Sequence, residues 1–227
     1  AANIAIPTAA CGIIIGIVIQ SGLATRFATI IAKLGTTNLL LALLIAMLGC
    51  MLLGMALPTV AAYLVANILF VPSLIRLGIS PLPANMFVFY FGIMAQITPP
   101  VCLASYTAAG IAGADSMKTG ITGFLYALVA FIVPFIFSYQ PSILLIGTFK
   151  EILQASFVLF LGVFYLASAM AGYLIIELKP IPRALLLISA LMLIIPELFT
   201  DVIGLGLGTL ILILNLIISR RAKKGVA

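Results

Sequence analysis

Thirty-nine residues, Thr37 to Ile75, constrain the fold more than any other stretch, and their centre reads GMALPTVAAY, Gly54 to Tyr63. The apolar run LLLALLIAMLGCMLL leads in, and YLVANILFVPSLI leads out. As one α-helix at ~1.5 Å per residue the segment would be a rod of roughly 58 Å, about twice the ~30 Å hydrocarbon core of a bilayer. It must fold back or break near Pro58. Its middle carries no charge and a single aliphatic hydroxyl, Thr59, which does not suit a turn lying in water. Such a turn is expected inside protein at membrane depth, where protein, a cavity or an ion satisfies the freed carbonyls and amides. The segment reads as two half-helices meeting at a tip.

Composition agrees with a membrane setting. The chain is 65% hydrophobic and 7% charged, with a mean hydropathy of +1.39, which describes an all-α polytopic membrane protein. It has no His, so imidazole catalysis and the commonest metal ligand are excluded. No basic face is interleaved with aromatics, which argues against nucleic acid. Cys11, Cys50 and Cys102 lie in apolar runs without CxxC spacing and read as buried free thiols. The first residue is Ala, and no basic segment with a short apolar core and cleavage site follows. The chain is thus expected to be the C-terminal part of a longer membrane subunit.

In order, 6–24 is an expected span, and Arg26 and Lys33 bracket a short amphipathic connector suited to the interface. The 37–75 element follows, then a turn-rich linker at Gly78, Pro81 and Pro83. Residues 83–112 repeat the oddity. The run NMFVFYFGIMAQ is interrupted by ITPPV, Ile97 to Val101, before CLASYTAAGIA continues. Pro99 and Pro100 remove two amide donors in succession, and Pro100 pushes Pro99 away from helical geometry. Thirty residues with one central break make a single crossing with an unwound centre, where Gln96 and Thr98 add side-chain oxygens. Further spans are expected at 121–139, about 152–176, 183–195 and 202–219. The tail RRAKK is a stop signal of the cytoplasmic kind.

With a fold-back at 37–75 and a crossing at 83–112, seven cations share the side of the C-terminus and four lie opposite. That puts the C-terminus in the cytoplasm. If both elements were re-entrant the count would be ten against Lys150 alone, which the charge rule prefers. The rule does not separate a re-entrant hairpin from two full crossings.

A hairpin tip beside a broken helix can build an ion or substrate site near the midplane, because helix N-termini attract anions and freed carbonyls coordinate cations. A sodium cage is expected from Thr59, Thr98 and the carbonyls around Gly54, Met55, Ala56 and Ile97. Proline kinks in membrane helices are also common and purely structural, and that reading stands beside it. Tyr63 and Asn67 either bond between helices or line a substrate path. Glu151, Glu177, Glu197 and Asp201 fall at span ends and read as interfacial.

The motifs GMALPTVAAYLVANILFVPSLIRLGI and FVFYFGIMAQITPPVCLASYTAAGIAGADSMKTG resemble the large membrane subunit of TRAP (tripartite ATP-independent periplasmic) transporters, in the fused-subunit, TAXI-type branch. The resemblance covers Ala2 to Gln140. It implies half of an elevator-type transporter with a re-entrant hairpin, 37–75, and a discontinuous transmembrane helix, 83–112. Residues 1–140 would be the C-terminal repeat of the transport core, and 141–227 additional helices with a basic tail. It places Gly54, Met55, Pro58 and Thr59 at the tip and Thr98, Pro99, Pro100 and Val101 at the facing break. The candidate substrate contacts are Pro58, Thr59, Tyr63, Pro99, Pro100 and Val101. The implied function is sodium-coupled import of small organic acids across a bacterial or archaeal inner membrane. The implied partners are a periplasmic substrate-binding protein, the N-terminal part of the permease and a small membrane subunit. No cofactor beyond the coupling sodium ion and no enzymatic activity are expected. The alternatives are a non-transporting assembly subunit and, less favoured, a channel, since no ring of polar residues repeats along a face.

Overall fold

The computed structural model describes residues 20–35, 38–57, 59–194 and 198–224, with positions 13, 16 and 17. Described residues are almost entirely helical, and the chain divides into two compact units, residues 1–138 and 139–227. Among the described residues, four helical stretches are long and apolar enough to cross a membrane: Thr59–Arg76, Ser116–Tyr139, Phe149–Ala171 and Phe199–Ser219. The protein is an all-α polytopic membrane protein. The expected span at 6–24 and Cys11 lie largely or wholly outside the described residues, whereas Cys50 and Cys102 are buried free thiols.

In the first unit, α1 (Leu23–Gly35) is amphipathic, with Arg26 and Lys33 exposed and Ile31 fully buried. Phe27 sets its ring edge against Phe70, centroids 5.8 Å apart, so this connector is packed on the hairpin. The hairpin is α2 (Leu39–Ala56) and α3 (Thr59–Arg76). Asn38 caps α2 by accepting from the Leu40 N–H at 2.9 Å, and Leu57 leaves it in extended geometry. Each arm has 18 residues, about 27 Å, so the break falls where the length argument needs it. The Phe70 ring fills the space that a Cβ at Gly49 would need, which brings the arms close.

The second broken element is α4 (Pro81–Met94), a 3-10 turn at Ala95–Ile97, an extended Thr98 and α5 (Leu103–Ala112). The Pro99–Pro100 peptide is cis and Cys102 has φ 22°. Gly113, at φ 64°, ends α5 in the left-handed conformation that glycine adopts most readily. Asp115 then caps α6 (Ser116–Ala127) through the Lys118 N–H at 2.8 Å.

The expected span at 121–139 starts earlier, at Ser116, and is not uniform. A 3-10 stretch, Leu128–Ile132, precedes α7 (Val133–Tyr139). Pro134 has no N–H for the Ala130 carbonyl, and Val133 supplies its own instead, tightening the turn. A ring cluster holds this stretch to α4: Phe135 meets Phe87 at 5.4 Å and Phe91 at 5.8 Å, and Phe131 meets Phe91 at 5.9 Å. The first half of the broken helix is thereby fixed.

The second unit opens with a 3-10 turn, Pro141–Leu144, followed by α8 (Phe149–Ala171), α9 (Pro180–Ile194) and α10 (Leu198–Lys224). Glu151 accepts from the Thr148 N–H at 3.0 Å and closes the start of α8. That helix stops at Ala171 rather than 176. Gly172 turns left-handed, and Arg183 donates to the Ala169 and Met170 carbonyls at 2.7 and 3.0 Å, capping the helix end. Asn215, buried on α10, accepts from the Ile175 and Ile176 N–H groups at 3.1 and 3.2 Å.

Candidate functional site

Each proline of the ITPPV break removes one donor, and the neighbouring groups redistribute. Pro99 cannot serve the Ala95 carbonyl, so the Thr98 N–H turns to it at 3.2 Å. That strands the Met94 carbonyl, and the Thr98 hydroxyl takes it at 2.8 Å. Pro100 likewise leaves the Gln96 carbonyl without its helical donor. On the far side the Cys102 N–H bonds the Thr98 carbonyl at 3.1 Å, and the Tyr106 hydroxyl donates to the Pro100 carbonyl at 2.8 Å. The break is thus a built turn.

The hairpin tip lies directly against it. Gly54 is buried, and a Cβ there would stand 2.6 Å from both the Ala95 Cβ and the Gly92 carbonyl oxygen. Only glycine allows this approach. The Gln96 Nε2 donates to the Gly54 carbonyl at 3.0 Å, tying break to tip across 42 residues of sequence.

Beside this junction is an open cleft of about 530 Å³. Met55, Leu57 and Thr59 line it from the hairpin, and Gln96, Leu103, Ala104 and Thr107 from the broken helix. None of these is charged. Thr59 is exposed and opens α3, while Leu103 and Ala104 open α5, whose N-cap Cys102 makes no side-chain capping bond. Two helix N-termini therefore border one cleft, together with Met55 and Leu57 at the C-terminal end of α2.

Among the residues singled out from sequence, Met55 and Thr59 line the cleft and Gly54 lies at the junction behind it. Ala56 ends α2, and Pro58 lies outside the described residues. Thr98 is buried beside the break and outside the cleft lining, and Ile97 is half-buried in the 3-10 turn. Pro99 and Val101 are half-buried and Pro100 exposed in the turn itself. Tyr63 sits one turn into α3 with its hydroxyl on the Asn85 Oδ1 at 3.2 Å, and the Asn67 amide donates to both the Tyr63 hydroxyl, at 3.1 Å, and Asn85. Asn85 and Thr107 were not among the expected residues. Asn85 is an amide in an otherwise apolar helix start, a signal that sequence offers without naming its partners.

Residues 1–152 match the family model described as the tripartite ATP-independent periplasmic transporter, DctM component. The chain belongs to this family. The DctM match takes in the first unit with its cleft and ends within α8. As a DctM component, the protein is a membrane part of a TRAP transporter. No curated protein and no solved structure matches the chain at a significant level.

Proposed function

We propose that this DctM component is the carrier part of a sodium-coupled, binding-protein-dependent importer of small organic acids, and that the cleft between tip and break binds the acid. The observation that carries this reading is the pair of helix N-termini, at Thr59 and Leu103, bordering one uncharged cleft. Such ends offer backbone donors and a positive partial charge to a carboxylate without a buried cation. A volume of about 530 Å³ suits a small molecule.

Sodium takes the opposite polarity. The Thr59 hydroxyl and the carbonyls of Gly54, Met55, Ala56 and Ile97 stand on the tip and the break. The Thr98 hydroxyl donates to Met94 but keeps oxygen lone pairs for a cation. Pro58, Pro99, Pro100, Val101 and Tyr63 complete the proposed substrate contacts.

In this reading, residues 1–140 form the C-terminal repeat of an elevator-type permease of the TAXI-type branch, with α2 and α3 as its re-entrant hairpin. A periplasmic substrate-binding protein, the N-terminal part of the permease and a small membrane subunit complete it in the inner membrane. The RRAKK tail faces the cytoplasm. Uptake of labelled organic acids by the complete transporter with its binding protein, with and without a sodium gradient, tests this. Sodium-dependent uptake is expected. Sodium-independent uptake removes the coupling, and no uptake of any acid favours an assembly subunit.

A further inference from the structure

We propose that Gln96 is a specificity-determining residue of the cleft, a bridge that holds the hairpin tip with one amide N–H and a bound carboxylate with the other. The proposal rests on the organic-acid reading above. Gln96 lines the cleft and also bonds across the junction, through Nε2 to the Gly54 carbonyl. A carbonyl oxygen only accepts, so the amide must turn its nitrogen toward Gly54. That nitrogen carries a second hydrogen, and the half-buried side chain lines the cleft beside Thr59 and the start of α5. Its backbone is held in a 3-10 turn between α4 and the break, and the contact of Gly54 with Ala95 and Gly92 fixes the distance to the tip. The donor is therefore pre-positioned. It adds a directional bond where the helix ends supply only backbone donors and partial charge, and it links ligand binding to the docking of the tip.

The test is uptake of labelled pyruvate, succinate and glutamate by the complete sodium-energised transporter, comparing wild type with Gln96→Leu and Gln96→Glu. Leu removes the donor at similar length. Glu keeps length and acceptors but offers no donor when ionised and repels a carboxylate. The expected result is a rise in KM of about ten- to a hundredfold for Leu and more for Glu, with the maximal rate changed far less. Succinate, with two carboxylates and no ammonium to offset them, should suffer most from Glu. The folded fraction of each variant is measured by size-exclusion chromatography. Wild-type uptake with unchanged KM in both variants overturns the bridge and leaves the transporter reading standing. Unfolding of both variants overturns it too, since Gln96 would then be a structural tie. Absence of wild-type uptake removes both.

Discussion

The Thr98 hydroxyl donates to the Met94 carbonyl at 2.8 Å, in the place that Thr98's own N–H would hold in an unbroken helix. The exchange is forced by Pro99, and it gives Thr98 a structural duty that Thr59, exposed at the start of α3, does not share. The two threonines should therefore respond differently to the same substitution. Thr98→Val strands a buried carbonyl, and a loss of about 1–3 kcal/mol is expected, read as a lower melting temperature in detergent. Thr59→Val should leave the melting temperature in place and raise the sodium concentration for half-maximal uptake about tenfold, or about 1.4 kcal/mol. An unchanged sodium dependence in Thr59→Val would remove Thr59 from the cage.

Gly54→Ala is the sharpest steric probe of the junction. The added methyl meets a backbone oxygen and a Cβ at 2.6 Å, neither of which is the end of a flexible chain. Overpacking of this kind costs about 1–3 kcal/mol, and the tip must lift from the break. Thermal melting should fall and uptake should be lost, whereas Gly110→Ala, with open space around its Cβ, should leave both in place.

Asn85 accepts from both Tyr63 and Asn67 and donates to the Pro81 carbonyl at 2.8 Å, joining α3 to α4. Asn85→Leu should cost about 0.6–1.7 kcal/mol, the range for interhelical hydrogen bonds in membranes. Tyr63→Phe removes only the Tyr63 donation to Asn85 from the links between α3 and α4, together with the Asn67 bond inside α3, and should cost less. Chemical denaturation in mixed micelles checks the order.

In the second unit, Asn215→Leu leaves the N–H groups of Ile175 and Ile176 without their acceptor. A loss of about 1–3 kcal/mol is expected, with the KM for any transported acid unchanged, because the residue lies outside the proposed site. A changed KM would draw this unit into transport.

The hairpin and the break were legible because proline acts locally: a missing N–H and a clash with the preceding residue are readable from PT and TPP alone. The 3-10 stretch before Pro134 follows the same rule, yet the uniform apolar run concealed it. The end of α8 was placed too far along because YLII continues the hydropathy past Gly172, while the Arg183 cap comes from the next helix. The site was legible only in part. Thr59 and Met55 lie where the tip must be, but the bond from Gln96 to Gly54 joins residues 42 apart, and no local pattern announces it. Thr98 reads from sequence as an oxygen donor at the break, and the bond its hydroxyl gives to Met94 within its own helix is not announced by the motif.

The central claim is that an organic acid and sodium meet in the cleft at Thr59, and cysteine protection tests it most directly. Thr107→Cys, at an exposed position that lines the same cleft but belongs to neither the proposed cage nor the proposed substrate contacts, is introduced into the complete transporter carrying Cys11→Ala, Cys50→Ala and Cys102→Ala, and the rate of maleimide labelling is followed. A transported acid, identified by uptake, should slow labelling several-fold when sodium is present and not when potassium replaces it. A labelling rate unaffected by the acid in sodium would place the binding site elsewhere and contradict the account.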